Sequence, residues 1–261
     1  MAGAAVGAEP GELHHFAVSL TSLVGRASEA AEVAGLLGEY RLVTVTGPGG
    51  VGKTRLAAEV AAQVAGRFTD GVWLVELAAV SDAGQVAALV AAALGVPQTR
   101  RGTATDSLMA ALASQQVLLV LDNCEHVAGA VAELCEALLR AADDVRVLAT
   151  SREPVGVTGE ARYRLAPLAV AGHDEAGFAG SEAIALFADR ARRVDPHFAL
   201  TAQTAPQWPG SCASSTACRW RSSSRQRSLR RSGWSNSLTG WVTAPNCSRE
   251  AAGWRRPGTG H

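Results

Sequence analysis

The chain has 261 residues, 24 basic and 24 acidic side chains, 48% hydrophobic residues and 5% aromatics, enough to bury the core of one large domain with an appendage. No run approaches the ~18 apolar residues of a membrane span and no secretory signal opens the chain, so no membrane is expected as a partner and the cytoplasm is the expected location. Five cysteines with no CxxC pair exclude a disulfide scaffold and a standard zinc cluster.

Residues 1–20 show no steady periodicity and read as a leader or linker. A helix is predicted from about Ser28, a suitable N-cap, with Glu29 and Glu32 in its first turn and Gly38 as its stop. Arg41–Thr46 is short and β-branched, a buried strand that ends in a Gly-rich turn. Lys53–Ala65 reads as a helix, Val72–Leu77 as a strand, and Gly84–Leu94 and Thr105–Ser114 as helices. Val117–Leu121 reads as a strand, Val127–Ala142 as a helix, and Val145–Ala149 and Tyr163–Leu165 as strands. Five apolar strands separated by helices predict an α/β fold, a doubly wound parallel sheet covered on both faces. Ser181–Val194 adds an amphipathic helix.

After about Pro206 the composition changes. Residues 1–206 carry 15 basic and 23 acidic groups, whereas residues 207–261 carry nine arginines and one acid, Glu250. Those last 55 residues hold eleven serines, five of the six tryptophans and three aliphatics, with neither helical nor strand periodicity. Such a segment is not expected to fold with the domain. The domain is therefore expected over 21–204, with 205–261 a Ser/Arg/Trp-rich tail whose arginines bind nucleic acid only non-specifically.

The strongest motif is Gly47-Pro48-Gly49-Gly50-Val51-Gly52-Lys53-Thr54, a complete G-x-x-x-x-G-K-[ST] between a strand and a helix. Glycines let the loop turn its amides toward anionic oxygens, and the helix N-terminus adds partial positive charge. Lys53, the chain's one lysine, can reach the β- and γ-phosphates, and the Thr54 hydroxyl can ligate Mg²⁺. Gly47, Gly49 and Gly52 also satisfy G-x-G-x-x-G, with Glu76 downstream as a ribose acid, but a dinucleotide fingerprint needs neither Lys53 nor Thr54. VLLVLDNCEH places Asp122 at a strand end, where it can hold the magnesium beside Thr54. Asn123 stands where a water-activating Glu is usual. Glu125 can substitute, its ordinary role being a solvated helix start. Hydrolysis is therefore expected to be slow. In VRVLATSREP, Arg152 leaves a strand tip and either contacts the γ-phosphate or is a plain surface arginine. Cys124, His126 and Cys135 close no ligand set, and His14-His15 reads as a solvated pair.

With TSLVGRASEA, GPGGVGKT, LLVLDNCEH, VLATSREP and EAIALFADRAR in this order, the chain over residues 20–204 resembles the STAND class of P-loop ATPases. More closely, it is similar to the NB-ARC-like module of actinobacterial LuxR-type and AfsR/SARP-type transcriptional regulators. The resemblance implies a switch with bound ATP or ADP and Mg²⁺, closed with ADP, open and able to self-associate with ATP, and reset by slow hydrolysis. It implies that Val24, Gly25 and Arg26 lie against the adenine and that the loop through Thr54 and Arg55 holds the phosphates. It also implies that Asp122 serves magnesium and that Thr150-Ser151-Arg152 sense the γ-phosphate; Lys53, Asp122 and Arg152 are the catalytic candidates. DNA would be reached only through domains not present in this chain. Two alternatives are a conventional ATPase acting on a substrate, against which Asn123 argues, and a truncated product without regulatory output.

Members of the class continue into a G-L-P-L motif, which this frame lacks. With one lysine against 23 arginines, the gene is expected to be GC-rich. Back-translated with CGN arginines and read two bases downstream, Ser215–Arg221 is compatible with D-G-L-P-L-A. Trp208/Pro209 and Trp220/Arg221 both force Ala in that frame. A frameshift near Gln207 is expected, making residues 207–261 an out-of-frame tail.

Overall fold

The computed structural model describes residues 12–16, 25–97 and 102–168, together with the isolated helical positions Ala185, Leu186, Asp189 and Arg192. Val24, most of the expected helix 181–194 and the Ser/Arg/Trp-rich tail lie outside the described residues. The elements in chain order are β1 (Leu13–His14), α1 (Ala27–Glu39), β2 (Leu42–Thr46), α2 (Lys53–Val64), β3 (Val72–Glu76), α3 (Val86–Ala93), α4 (Ala104–Leu112), β4 (Leu118–Asp122), α5 (Ala128–Ala141), β5 (Arg146–Ser151) and β6 (Glu160–Arg164). Short 3₁₀ turns occupy Ala65–Arg67, Ala83–Gln85 and Cys124–His126.

All six strands form one parallel sheet in the order β1-β3-β4-β5-β2-β6. The strand runs are apolar throughout because both faces are covered, so successive residues serve opposite layers. In β4, Leu118 and Val120 pack with Val43, Val45, Leu56 and Val60 beneath α1 and α2. Leu119 and Leu121 instead join Trp73, Val75, Val147 and Ala149 beneath α3, α4 and α5. This is a doubly wound parallel sheet covered on both faces, with one strand more than the five expected.

The additional strand falls in the segment read as a leader. Leu13 and His14 pair with Val72 and Trp73, and the His14 ring stacks on Trp73 at 3.7 Å and 11°. His15 Nε2 lies 3.0 Å from the Ala93 carbonyl. Two residues are too few to show period-2 alternation, so no sequence pattern announced them.

Other boundaries move for local reasons. Helix α1 begins behind Arg26 rather than at Ser28, whose hydroxyl donates to Glu29 Oε2 at 2.9 Å. It runs through Gly38 to an extended Tyr40. Helix α4 starts at a capping box in which Thr103 Oγ1 accepts from the Asp106 amide and the Asp106 carboxylate accepts from the Thr103 amide. After β5 the chain returns along 152–159 with Val155 and Val157 buried in the α3–α5 core. This lets β6 pair with β2 on the side away from β5.

Candidate functional site

The C-terminal edge of the sheet gathers the chemistry. Strand β2 lies between β5 and β6, so the loop that leaves it opens where the winding reverses, the usual ligand crevice of such sheets. The loop is built around glycine. Gly50 and Gly52 have φ of 77° and 101°, a region that side-chain-bearing residues rarely occupy. A Cβ on Gly47 would come within 2.8 Å of the Leu165 carbonyl. Leu165 itself donates its amide to Thr46 O at 2.8 Å, which fastens the end of β6 to the start of the loop.

Gly52 precedes the first turn of α2, and Lys53 opens the helix. The Lys53 ammonium curls back to donate to the carbonyls of Gly47 at 2.9 Å and Pro48 at 3.2 Å. Burial lowers its pKa from the ordinary value; Glu125 and Asp122 oppose that shift and Arg152 reinforces it. One turn surface of α2 thus presents amides, an ammonium and the Thr54 hydroxyl to the same space. Arg55 follows them, half-buried.

Asp122 comes from β4, two strands away from β2, and is 8% exposed. Its Oδ1 accepts from Thr54 Oγ1 at 2.8 Å and from Thr150 Oγ1 at 2.5 Å. Thr150 sits on the intervening β5 and also accepts from the Asn123 amide at 3.0 Å. Here Thr150 anchors the carboxylate, a contact that motif spacing alone does not reveal. Thr54 and Asp122 are two hard oxygen donors converging on one point. Magnesium takes few ligands from protein and keeps waters and phosphate oxygens for the rest, so this pair fits it.

Asn123 has φ 65° and ψ 51°, a left-handed conformation that Asn tolerates better than most residues. The turn it makes swings the chain so that Glu125 faces the loop region. Glu125 was expected to be a solvated helix start, yet its side chain is 19% exposed. Its Oε1 pairs with Arg152 Nε at 2.9 Å, while Oε2 is covered and accepts no hydrogen bond. Arg152 is 65% exposed. Its Nη2 lies over the loop, 3.8 Å from where a Cβ on Gly49 would be. His126 fixes the same corner by donating from Nε2 to Leu77 O at 3.0 Å and Val80 O at 2.9 Å.

Arg26 reaches the site's other flank. It is 7% exposed, pairs with Glu29 at 2.5 Å and donates to Ala166 O at 2.6 Å. Gly25 precedes it with φ 68°. The guanidinium therefore clasps the chain that leaves β6, one residue beyond the Leu165 carbonyl that bounds Gly47. Glu76 stays exposed at the end of β3, and β4 and β5 separate that strand from β2. A ribose acid of a dinucleotide fold would come from the strand adjacent to the glycine loop, so the sheet order removes that rival. Cys124 and Cys135 are buried thiols; burial pushes Cys135 up to about 12. Among the described residues no group of three or more His, Cys, Asp or Glu could hold a metal ion, and no helix is long and apolar enough to cross a membrane.

Residues 38–158 match the family described as AAA domain. The chain is 44% identical over 186 residues to an uncharacterized protein of Mycobacterium tuberculosis, covering 71% of this chain and 45% of that protein. It is 43% identical over 165 residues to a candidate HTH-type transcriptional regulator of the same species, covering 63% of this chain and 18% of the regulator. The chain thus spans less than half the length of either relative. Among solved structures it is similar to Cdc6p from Pyrobaculum aerophilum, with TM-score 0.48, 16% identity, and 68% and 52% of the two chains covered. It is also similar to a signal transduction ATPase with numerous domains, carrying a tetratricopeptide repeat sensor, from Pyrococcus horikoshii. There the TM-score is 0.43 at 16% identity, with 72% and 28% covered.

Proposed function

We propose that this chain is the ATP- and ADP-binding switch module of a STAND-type, NB-ARC-like regulator linked to transcription. The observation that carries the reading is the convergence of the Lys53 ammonium, the Thr54 hydroxyl and the buried Asp122 carboxylate at the mouth of one glycine loop. Loop amides and Lys53 would bind the β- and γ-phosphates, and the helix N-terminus would add to the attraction. Thr54 and Asp122 would hold Mg²⁺, which when bound neutralises phosphate charge. Gly25, Arg26 and the chain at Ala166 flank the loop where an adenine would lie. The similarity to a candidate HTH-type regulator supports a transcriptional setting. In this reading DNA contact and ATP-dependent self-association belong to the longer protein.

The test is calorimetry of the full chain with Mg-ADP. Lys53→Ala removes one charge-assisted phosphate contact and is expected to weaken binding about 10- to 100-fold. Equal affinity in both proteins would refute the phosphate-loop assignment. Turnover separates a switch from a working ATPase: rapid multiple-turnover hydrolysis contradicts the switch.

A further inference from the structure

We propose that Glu125 is the base for ATP hydrolysis in this chain, and that Arg152 keeps it covered until a terminal phosphate draws the guanidinium away. The proposal rests on the nucleotide-site reading above and deepens it. The position directly after Asp122 is Asn123, which has no proton-accepting carboxylate. Its left-handed turn brings the carboxylate three residues after Asp122 to the loop region instead.

The two oxygens of Glu125 are unequal. Oε1 is held by Arg152 Nε at 2.9 Å, and Oε2 is covered without a hydrogen-bond partner. A covered carboxylate oxygen with no donor is costly to keep, so the carboxylate depends on Arg152 for its one strong partner, and Oε1 is the oxygen that Arg152 uncovers on leaving. Arg152 is the exposed partner. Its side chain is 65% exposed, it directly follows the end of β5, and an ion pair at such a rim is weak. Its Nη2 already lies over Gly49, within the loop that would hold the phosphates. Three phosphate oxygens attract a guanidinium more strongly than one carboxylate at a solvent-exposed rim.

In the hydrolytic step the water oxygen bonds to the γ-phosphorus as the bond from that phosphorus to the β,γ-bridging oxygen breaks. The electron pair of that bond stays on ADP, and the water proton passes to Glu125 Oε1, the oxygen that Arg152 has left. ATP and water give ADP and inorganic phosphate, with no further co-reactant. ADP has no third phosphate, so it leaves the Arg152–Glu125 pair closed. One ion pair then both distinguishes the two nucleotides and withholds the base from the wrong one.

The test compares wild type, Glu125→Gln, Arg152→Ala and Lys53→Ala as full chains. Calorimetry with ADP and with a β,γ-imido ATP analogue is paired with single-turnover ATP hydrolysis. In Glu125→Gln the ADP affinity is expected to stay within about twofold, whereas analogue affinity rises about two- to fivefold because Arg152 no longer leaves a charged partner. Hydrolysis in that variant is expected to fall at least about 100-fold. In Arg152→Ala the preference for the analogue over ADP is expected to disappear. An unchanged analogue-to-ADP ratio in Glu125→Gln, wild-type hydrolysis in that variant, loss of ADP binding with it, or a wild-type chain that does not hydrolyse ATP each overturns the proposal. Lys53→Ala reads out separately: unaltered ADP binding there defeats the phosphate-loop reading, whatever Glu125 does.

Discussion

At Asn123 the backbone takes a left-handed turn directly after Asp122. With φ at 65°, an L-residue bearing a Cβ pays a steric cost of about 1–2 kcal/mol, which Asn offsets in part and β-branched residues do not. Asn123→Gly is therefore expected to leave the urea midpoint nearly unchanged, while Asn123→Val lowers stability by about 1–2 kcal/mol. Equal midpoints for the two variants would show that the turn is not held in the left-handed region. The amide of Asn123 is already committed to Thr150 Oγ1, so the turn and the Asp122 anchor are one unit.

At the scale of elements, Glu160 closes the return between β5 and β6. Its fully covered side chain accepts from the Val155 and Gly156 amides at 2.8 and 3.2 Å and from Arg162 Nε at 2.9 Å. Burial pushes its pKa up, but the Thr44 hydroxyl beside it, together with these donors, outweighs burial and holds it below the ordinary carboxylate value. The contribution is present above the unfolded value, about 4.3, and is lost as pH falls through the lower folded value. Glu160→Gln is thus expected to melt below wild type at pH 7, with the gap narrowing as pH drops below about 4. A gap that does not change with pH would assign the loss to packing.

The elements themselves were largely legible because buried parallel strands read as unbroken apolar runs, as in Leu118–Leu121, and because Lys53-Thr54 follows a strand directly. What stayed hidden has physical causes. A two-residue strand such as Leu13–His14 has no period to detect. The Thr150–Asp122 and Glu125–Arg152 contacts join residues 28 and 27 positions apart, across neighbouring strands whose order no local pattern encodes. Glu125 looked like a surface residue because hydropathy carries no information about a left-handed turn two residues earlier.

For the whole molecule, the zero formal charge joins an acidic stretch of residues 1–206 to a basic one at 207–261. The frameshift reading accounts for that contrast through codons. Resequencing the gene is expected to restore, from near Gln207, a frame that continues D-G-L-P-L-A. An intact gene, with the Ser/Arg/Trp-rich peptide detected in the protein by mass spectrometry, would rule it out.

The strand order β3-β4-β5-β2-β6 also sets a timetable. The glycine loop leaves a strand that cannot pair with the next one made, because both of its sheet neighbours, β5 and β6, come later in the chain. At about 5–20 residues per second of synthesis, the ribosome must add roughly 120 more residues after Leu42 before Glu160 exists, a delay of about 6–24 s. During that interval β3 and β4 can pair with each other, while the apolar run of β2 waits for β5 and then β6. The glycine loop is thus encoded early while both strands that flank its own strand are made late, so the candidate cradle gains its full frame only at the end of the sheet's synthesis.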